Sequence, residues 1–245
     1  MDFVVIIPAR MESTRLPGKP LLDIHGKPMV VRTALQAHKS NATRVIIATD
    51  SNDVLKIAHS FNIEAVLTSR NHTSGTDRIA EAARSLNLDV DRIVVNVQGD
   101  EPLIQPQIIN KVANKLSNSP ACVMSTCASI ISRDEQLHNP NVVKVVCNYK
   151  DEALYFSRAS IPFSRDGNHI QAMHHIGIYA FRNSFLQSFS QLPTGQLESI
   201  ESLEQLRALE NGFAIAVERL NHDILGGVDT QQDLERVRSY WSHGL

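Results

Sequence analysis

Aromatic residues make up only 5% of this 245-residue chain, with a single tryptophan, and cysteines number just three. Cys122, Cys127 and Cys147 are an odd set without metal-ligand spacing, which argues against an extracellular disulfide scaffold. Each lies in an apolar or β-like context, so buried, reduced thiols are expected. An excess of one charge is also missing: 24 Lys and Arg against 26 Asp and Glu give a formal net charge of -2. That balance, without a basic aromatic surface, disfavours nucleic-acid binding, and any anion site must be a local concentration of cations. No apolar run approaches the length of a membrane span. Met1-Asp2-Phe3 leads into a strand pattern without the basic and apolar regions of a signal peptide, so a cytoplasmic location is expected. Internal repeats, low-complexity tracts and Pro/Gly/Ser linkers are lacking too. With 42% hydrophobic and 20% charged residues, the chain is expected to bury a sizeable core as a single domain over 1–245.

The usual phosphate-binding patterns are absent as well. Leu-Pro-Gly-Lys-Pro at 16–20 lacks the first glycine of a P-loop and the hydroxyl after its lysine, and there is no three-glycine dinucleotide fingerprint. No Ser-His-Asp or Cys-His constellation is found. What is there is the stretch Pro8-Ala9-Arg10-Met11-Glu12-Ser13-Thr14-Arg15-Leu16-Pro17-Gly18-Lys19-Pro20-Leu21, directly after the apolar run Phe3 to Ile7. Three cations, Arg10, Arg15 and Lys19, fall close together in a loop stiffened by proline. Such a loop at a strand's carboxyl end suits a polyphosphate held largely by side chains.

Beyond it, strands and helices alternate. Helices are predicted at Met29–Lys39, Asp53–Phe61, Arg78–Leu86 and Pro106–Leu116, and strands at Arg44–Asp50, Glu64–Leu67 and Arg92–Val97. Alternation of this kind predicts an α/β fold, a doubly wound and mostly parallel Rossmann-like sheet. The middle of the chain differs. Short β-branched segments at 121–131, 142–147 and 153–157 read as antiparallel strands forming a β-rich extension, followed by a strand at His174–Phe181. Leu197 to Arg207 reads as one amphipathic helix with a solvated acidic face. A strand at Phe213–Leu220 and a helix at Gln231–Trp241 complete the chain.

Two acidic turns stand out. Gln98-Gly99-Asp100-Glu101-Pro102 breaks a buried strand at its carboxyl end, where open α/β sheets bind ligands. Gly226-Gly227-Val228-Asp229-Thr230 precedes the last helix, where Asp229 also suits an ordinary helix start. A carboxylate beside a cationic loop suggests a divalent cation bridging protein and phosphate, and Mg²⁺ needs few protein carboxylates to do so. Ser74-Gly75-Thr76-Asp77 is ordinary helix-start chemistry taken alone. His174 and His175 alternate on a strand, which favours a single ligand-facing histidine, His175, over a shared metal.

These motifs, in this order, resemble the sugar-activating nucleotidyltransferases, and in detail the CMP-KDO synthetases (3-deoxy-manno-octulosonate cytidylyltransferases). The resemblance is carried by P-A-R-x-x-S-T-R-L-P-G-K-P-L, Ser74-Gly75-Thr76-Asp77-Arg78, Gln98-Gly99-Asp100-Glu101-Pro102, Asn141–Val146, Ala153–Arg158, His175-x-Gly177-x-Tyr179 and Gly227-Val228-Asp229-Thr230. It implies transfer of CMP from CTP to KDO with release of pyrophosphate, for lipopolysaccharide biosynthesis. By resemblance, Pro8, Ala9, Arg10, Arg15, Lys19, Ser74 and Gly75 meet the nucleotide, and Asp100 and Asp229 hold Mg²⁺. Arg78, Gln98, Arg158, His175, Tyr179 and Glu201 are implied to face the sugar. The β-rich segment near 121–181 is implied to cover the sugar site and contribute to a homodimer. The family pattern has Arg where this chain has His174, and the preceding loop, 164–173, is short. Both departures bear on sugar contact or subunit packing, not on the nucleotide chemistry; the alternative within the enzymes is a related CMP-sugar synthetase acting on 8-amino-KDO or sialic acid. A non-catalytic nucleotide-binding module is the reading from another class.

Overall fold

The computed structural model describes residues 2–13, 15–166, 171–221, 224 and 226–242. Strand β1 (Phe3–Ala9) is buried at every position, as a strand covered on both faces must be. After the cationic loop come a two-stranded hairpin, β2 (Asp23–Ile24) and β3 (Lys27–Pro28), then α1 (Met29–Ala37). Next follow β4 (Arg44–Thr49), α2 (Asn52–Ser60), β5 (Glu64–Leu67), α3 (Gly75–Ser85), β6 (Ile93–Asn96) and α4 (Pro106–Ser117). The second half contains β7 (Met124–Ile130), α5 (Asp134–His138), β8 (Lys144–Cys147), β9 (Ala153–Ser157) and β10 (Met173–Arg182). It ends with α6 (Asn183–Phe189), α7 (Gln196–Glu201), α8 (Leu206–Glu210), β11 (Ile215–Leu220) and α9 (Gln231–Ser242).

The main sheet runs β11-β7-β10-β6-β1-β4-β5, with β8 joined to β10 and β9 joined to β8. β1 pairs parallel with β4 and β6, and β4 parallel with β5. β10 is antiparallel to both β6 and β7. The fold is thus α/β with a mostly parallel sheet, as the alternation predicted. Alternate residues of β1 feed two cores. Phe3, Val5 and Ile7 pack with Val30, Ala34 and Val112 of α1 and α4. Val4 and Ile6 pack on the other face with Ile79 and Ala83 of α3 and Leu186 of α6.

Five expectations are corrected. The segment at 121–131 is antiparallel to β10 as expected, but it is no extension: β7 lies inside the main sheet, parallel to β11 on its other edge, and the antiparallel appendage is β8 with β9. The helix expected over 197–207 is two short helices, because Ser202 takes a left-handed conformation (φ 51°) that ends α7. Its acidic face is not all solvated either, since Glu198 is buried against Arg207, with hydrogen bonds of 2.8 and 2.6 Å. Cys122 and Cys127 are buried free thiols, but Cys147 is half-buried. Helix α3 also starts three residues before the predicted Arg78, at Gly75, because the Ser74 side chain caps the Asp77 amide at 3.1 Å. Residues 167–170 of the short loop before His174 lie outside the described residues, as does Thr14.

Candidate active site

Parallel pairing of β1, β4 and β6 brings their carboxyl ends to one edge, so the segments after each strand meet there. They enclose a cleft of about 270 Å³ bordered by Pro8, Ala9, Arg10, Arg15, Lys19, Ser74, Gly75, Arg78, Gln98, Asp100 and Asp229. Every residue expected to meet the nucleotide or a metal is therefore at one site. Close packing shapes it: a Cβ on Gly99 would sit 2.8 Å from the Pro8 carbonyl oxygen, and one on Gly227 would sit 2.9 Å from that of Asp100. Both positions require glycine.

Lys19 is aimed by its local fold. Gly18 adopts φ 65°, which glycine accepts without strain, and starts a 3-10 turn over Lys19–Leu21. The Lys19 Nζ then donates to Asp100 Oδ2 at 2.5 Å and Asp229 Oδ1 at 3.1 Å, while Arg15 approaches Asp229 Oδ1 at 3.2 Å. Asp229 is not spent on capping α9. Thr230 and Asp233 form a reciprocal cap, with the Asp233 amide 3.2 Å from Thr230 Oγ1 and the Thr230 amide 2.9 Å from Asp233 Oδ2. Asp100 likewise does not cap α4, whose N-cap residue is Gln105 and which has no side-chain cap. The Val228 amide donates to the Asp100 carbonyl at 2.9 Å and joins the two acidic turns.

Two hard carboxylates, from turns far apart in sequence, thus converge on one ammonium group. That is the donor chemistry a Mg²⁺ ion takes, with phosphate and water oxygens completing its sphere. No group of three or more His, Cys, Asp or Glu able to hold a metal is found among the described residues.

Arg78 borders the cleft but is buried and bonded within the protein. It donates to Asp50 Oδ2 at 2.8 Å and to Thr68 Oγ1 at 2.6 Å. The sequence reading missed Asp50, which also accepts from the Met11 amide at 3.4 Å and so steadies the cationic loop. Its position at the carboxyl end of β4 was the available signal.

A second cavity of about 130 Å³ shares Gln98 with the cleft and is bordered by Glu101, His174 and His175. His175 is buried, its Nε2 3.0 Å from Thr126 Oγ1. The Thr126 proton faces the Ile178 carbonyl at 2.8 Å and the Ile176 carbonyl at 3.0 Å, and donation to either leaves His175 Nε2 as the donor to Thr126. Burial drives its pKa down to about 3, with His174 adding to the effect, so the imidazole is neutral. Tyr179 stacks beside it at 5.4 Å but is not among the residues bordering either cavity. Burial also pushes the Glu101 carboxyl up to about 8, Asp100 adding to the rise and a Gly227 amide bond opposing it. Glu101 is a second residue missed from sequence, since adjacent acidic residues in a turn read as solvent-facing.

Arg158 and Glu201 come together, but on each other. Arg158 donates from Nε to the Glu201 carbonyl at 2.7 Å and from Nη1 to the Pro140 carbonyl at 3.0 Å. The Glu201 carboxylate accepts from Ser157 Oγ at 2.6 Å and the Arg158 amide at 2.9 Å. Burial alone would raise the Glu201 carboxyl, and these bonds outweigh it, bringing it below its ordinary value. Neither residue borders the cleft or the smaller cavity.

A mostly parallel α/β sheet with a cationic loop and paired aspartates at its carboxyl edge defines the class of nucleotidyltransferases. Residues 4–220 match the family described as cytidylyltransferase. The 3-deoxy-manno-octulosonate cytidylyltransferase of Polynucleobacter necessarius is 55% identical over 97% of this chain and 94% of its own. That of Neisseria meningitidis serogroup A is 51% identical over 97% of each. Among solved structures, a CMP:2-keto-3-deoxy-manno-octonic acid synthetase complexed with CTP superposes with a TM-score of 0.94 at 39% identity, covering all of both chains. A Leptospira borgpetersenii cytidylyltransferase, 20% identical with a TM-score of 0.63, shares the fold. The chain belongs to the cytidylyltransferase family, among the 3-deoxy-manno-octulosonate cytidylyltransferases.

Proposed function

We propose that this enzyme transfers CMP from CTP to KDO, giving CMP-KDO and pyrophosphate. The observation that carries the reading is the convergence of Lys19, Asp100 and Asp229 in a cleft also bordered by Arg10 and Arg15. In this reading the sugar's anomeric 2-hydroxyl oxygen loses its proton to solvent and bonds to the α-phosphorus as the bond to the β-phosphate oxygen breaks. Arg10, Arg15 and Lys19 hold the triphosphate and offset charge on the departing pyrophosphate. Pro8, Ala9, Ser74 and Gly75 seat the nucleoside, and the protein acts chiefly by positioning. Asp100 and Asp229 would hold Mg²⁺, which when bound makes the attacking hydroxyl more acidic and neutralises phosphate charge.

The sugar end is assigned to the smaller cavity beside Gln98, where His175 offers a neutral imidazole. Tyr179 behind His175 supports that end from within the protein, Arg78 braces the main cleft through Asp50 and Thr68, and Arg158 with Glu201 holds the β9 end and the α7 end together. In this reading the product serves lipopolysaccharide assembly from the cytoplasm. Exposed Tyr149 and Leu154, flanking and within β9, support a homodimer through the β8–β9 appendage.

The test is pyrophosphate release by purified protein with Mg²⁺, crossing CTP, UTP and ATP against KDO, 8-amino-KDO and sialic acid. Release with CTP and KDO is expected, with loss on chelation. Release with 8-amino-KDO or sialic acid alone would keep the mechanism and change the substrate. No release with any pair would favour a nucleotide-binding module.

A further inference from the structure

The turn at Ser74-Gly75-Thr76 is held from behind by a carboxylate that the mechanism above does not use. Ser74 Oγ accepts the Asp77 amide at 3.1 Å, so its single proton has to go elsewhere. The Glu204 carboxylate, on the connection between α7 and α8, lies close enough to the Ser74 hydroxyl to be stabilised by it. Thr76 is buried, and its hydroxyl donates to Glu204 Oε2 at 2.7 Å across 128 residues of sequence. One carboxylate therefore ties down Thr76 directly and lies beside the hydroxyl of Ser74, the other neighbour of Gly75. Its other oxygen, Oε1, is buried without a partner, as is Asp77 Oδ1 nearby.

Gly75 is where this matters. A Cβ there would stand 3.4 Å from Pro8 Cγ and 3.7 Å from Gln98 Oε1, so Gly75 packs directly against two other borders of the cleft. A shift of a few tenths of an ångström at the turn would close or open that gap. The anchor itself is rigid. Leu203 and Leu206, on either side of Glu204, are buried in the core that contains α3. Arg207 is committed to Glu198 and lies over the Phe189 ring at 4.9 Å, so it does not draw Glu204 away. A carboxylate at the amino end of α3 is also favoured by the helix dipole. Burial raises the Glu204 carboxyl above its ordinary value, opposed by the two hydroxyls and Arg207 and reinforced by Asp77.

We propose that Glu204 is a positioning residue for the nucleotide base: by anchoring Thr76 beside the Ser74 turn it fixes Gly75 against Pro8 and Gln98. This rests on the reading that the Ser74–Gly75 turn meets the nucleoside. Removing the carboxylate loosens the base seat without touching the triphosphate loop, so affinity for CTP falls while the chemistry is kept.

The experiment measures kcat and KM for CTP and KDO, with thermal midpoints, in Glu204→Ala, Glu204→Gln, Thr76→Val and Ser74→Ala. Glu204→Ala is expected to raise KM for CTP about tenfold, the scale of one lost charge-assisted hydrogen bond. Its kcat and its KM for KDO stay within about twofold, as befits a uniform-binding loss. Glu204→Gln, which keeps an acceptor oxygen, restores most of the affinity. Thr76→Val with Glu204→Ala is no worse than the worse single variant, because both remove one interaction. A raised KM in Ser74→Ala with none in Glu204→Ala overturns the role of Glu204 alone. Unchanged KM in both overturns the base-seat reading with it. A general fall in kcat and in the affinities for both substrates, or a lowered midpoint with KM for CTP intact, overturns the proposal in favour of a purely structural glutamate.

Discussion

At Lys19 one ammonium stands between two carboxylates, so its removal acts twice: a cation is lost and two like charges are left facing each other. Lys19→Ala is expected to lower the rate of pyrophosphate release by roughly 10²–10³, the scale of one preorganised charge at a reacting phosphate. A rate within a few-fold of the parent would reduce the opening loop to a solvated basic turn. Asp100→Asn and Asp229→Asn are near-isosteric and leave the triphosphate cations in place. Each is expected to abolish turnover while equilibrium CTP binding stays largely intact, and near-normal turnover in either would remove it from the cation site. His175 sets a different residue-scale expectation. Its native pKa, near 3, lies below the unfolded value of about 6.5. The neutral ring's contribution is therefore complete above pH 6.5 and is lost as pH falls toward 3, since the unfolded chain binds a proton that the native fold refuses. The slope is about 1.4 kcal/mol per pH unit within that window. His175→Gln keeps a donor for Thr126 and does not titrate, so its denaturant-unfolding stability should fall less steeply than the parent's between pH 6 and 4. Parallel slopes would show that the imidazole is not buried in its neutral form.

Among the elements, α9 has a function out of proportion to its exposed position. Its Leu234 and Val237 pack with Val228 against Leu16, Ile24 and Met29, making a small third core beneath the cationic loop. Arg238 donates to the Asp23 carbonyl at 2.8 Å, and Arg32 lies over the Trp241 ring at 4.2 Å. The helix thereby holds Asp229 opposite Lys19. Leu234→Ala is expected to cost about 2–5 kcal/mol in denaturant unfolding and to lower kcat more than it weakens CTP binding. Equal losses in both would show that α9 stabilises the fold without setting the Asp229 geometry. Elements of this kind mark where sequence stops being informative. The strands β1, β4 and β6 were legible because burial on both faces leaves continuous apolar runs. β7 was legible as a strand, but its parallel pairing with β11 was not, because period-two patterning is the same in either direction. Leu197, Ile200, Leu203 and Leu206 read as one stripe, yet Leu197 and Ile200 are exposed, at 39% and 70%. Spacing alone cannot register the single left-handed residue, Ser202, that breaks the stripe. Likewise the signature motifs located Asp100 and Asp229, whereas Asp50 and Glu204 act through tertiary bonds that no local pattern records.

For the molecule as a whole, the decisive fact is that one sheet edge gathers loops from both halves of the chain. The cationic loop after β1, the turn before α3, the acidic turn after β6 and the Gly227–Asp229 turn meet in one cleft. A ligand that bridges them adds cross-links the unfolded chain does not have, so binding must appear as stability. At about 100 times its dissociation constant, CTP with Mg²⁺ should add about 2.7 kcal/mol. For a chain of this size that corresponds to a Tm rise of roughly 5–11 °C. ATP at the same concentration should give a much smaller rise, because the base seat between Pro8, Gly75 and Gln98 has a fixed width. Omitting Mg²⁺ separates the two parts of the site: the nucleotide's own increment remains, and the increment due to the cation disappears. In Asp100→Asn and Asp229→Asn the first increment should persist and the second should be missing. If the Mg²⁺ increment survives in both variants, the cation is held by the triphosphate alone. The convergence of the two aspartates on Lys19 would then be an ion pair that orients the lysine, and the chemistry would rest on the cationic loop.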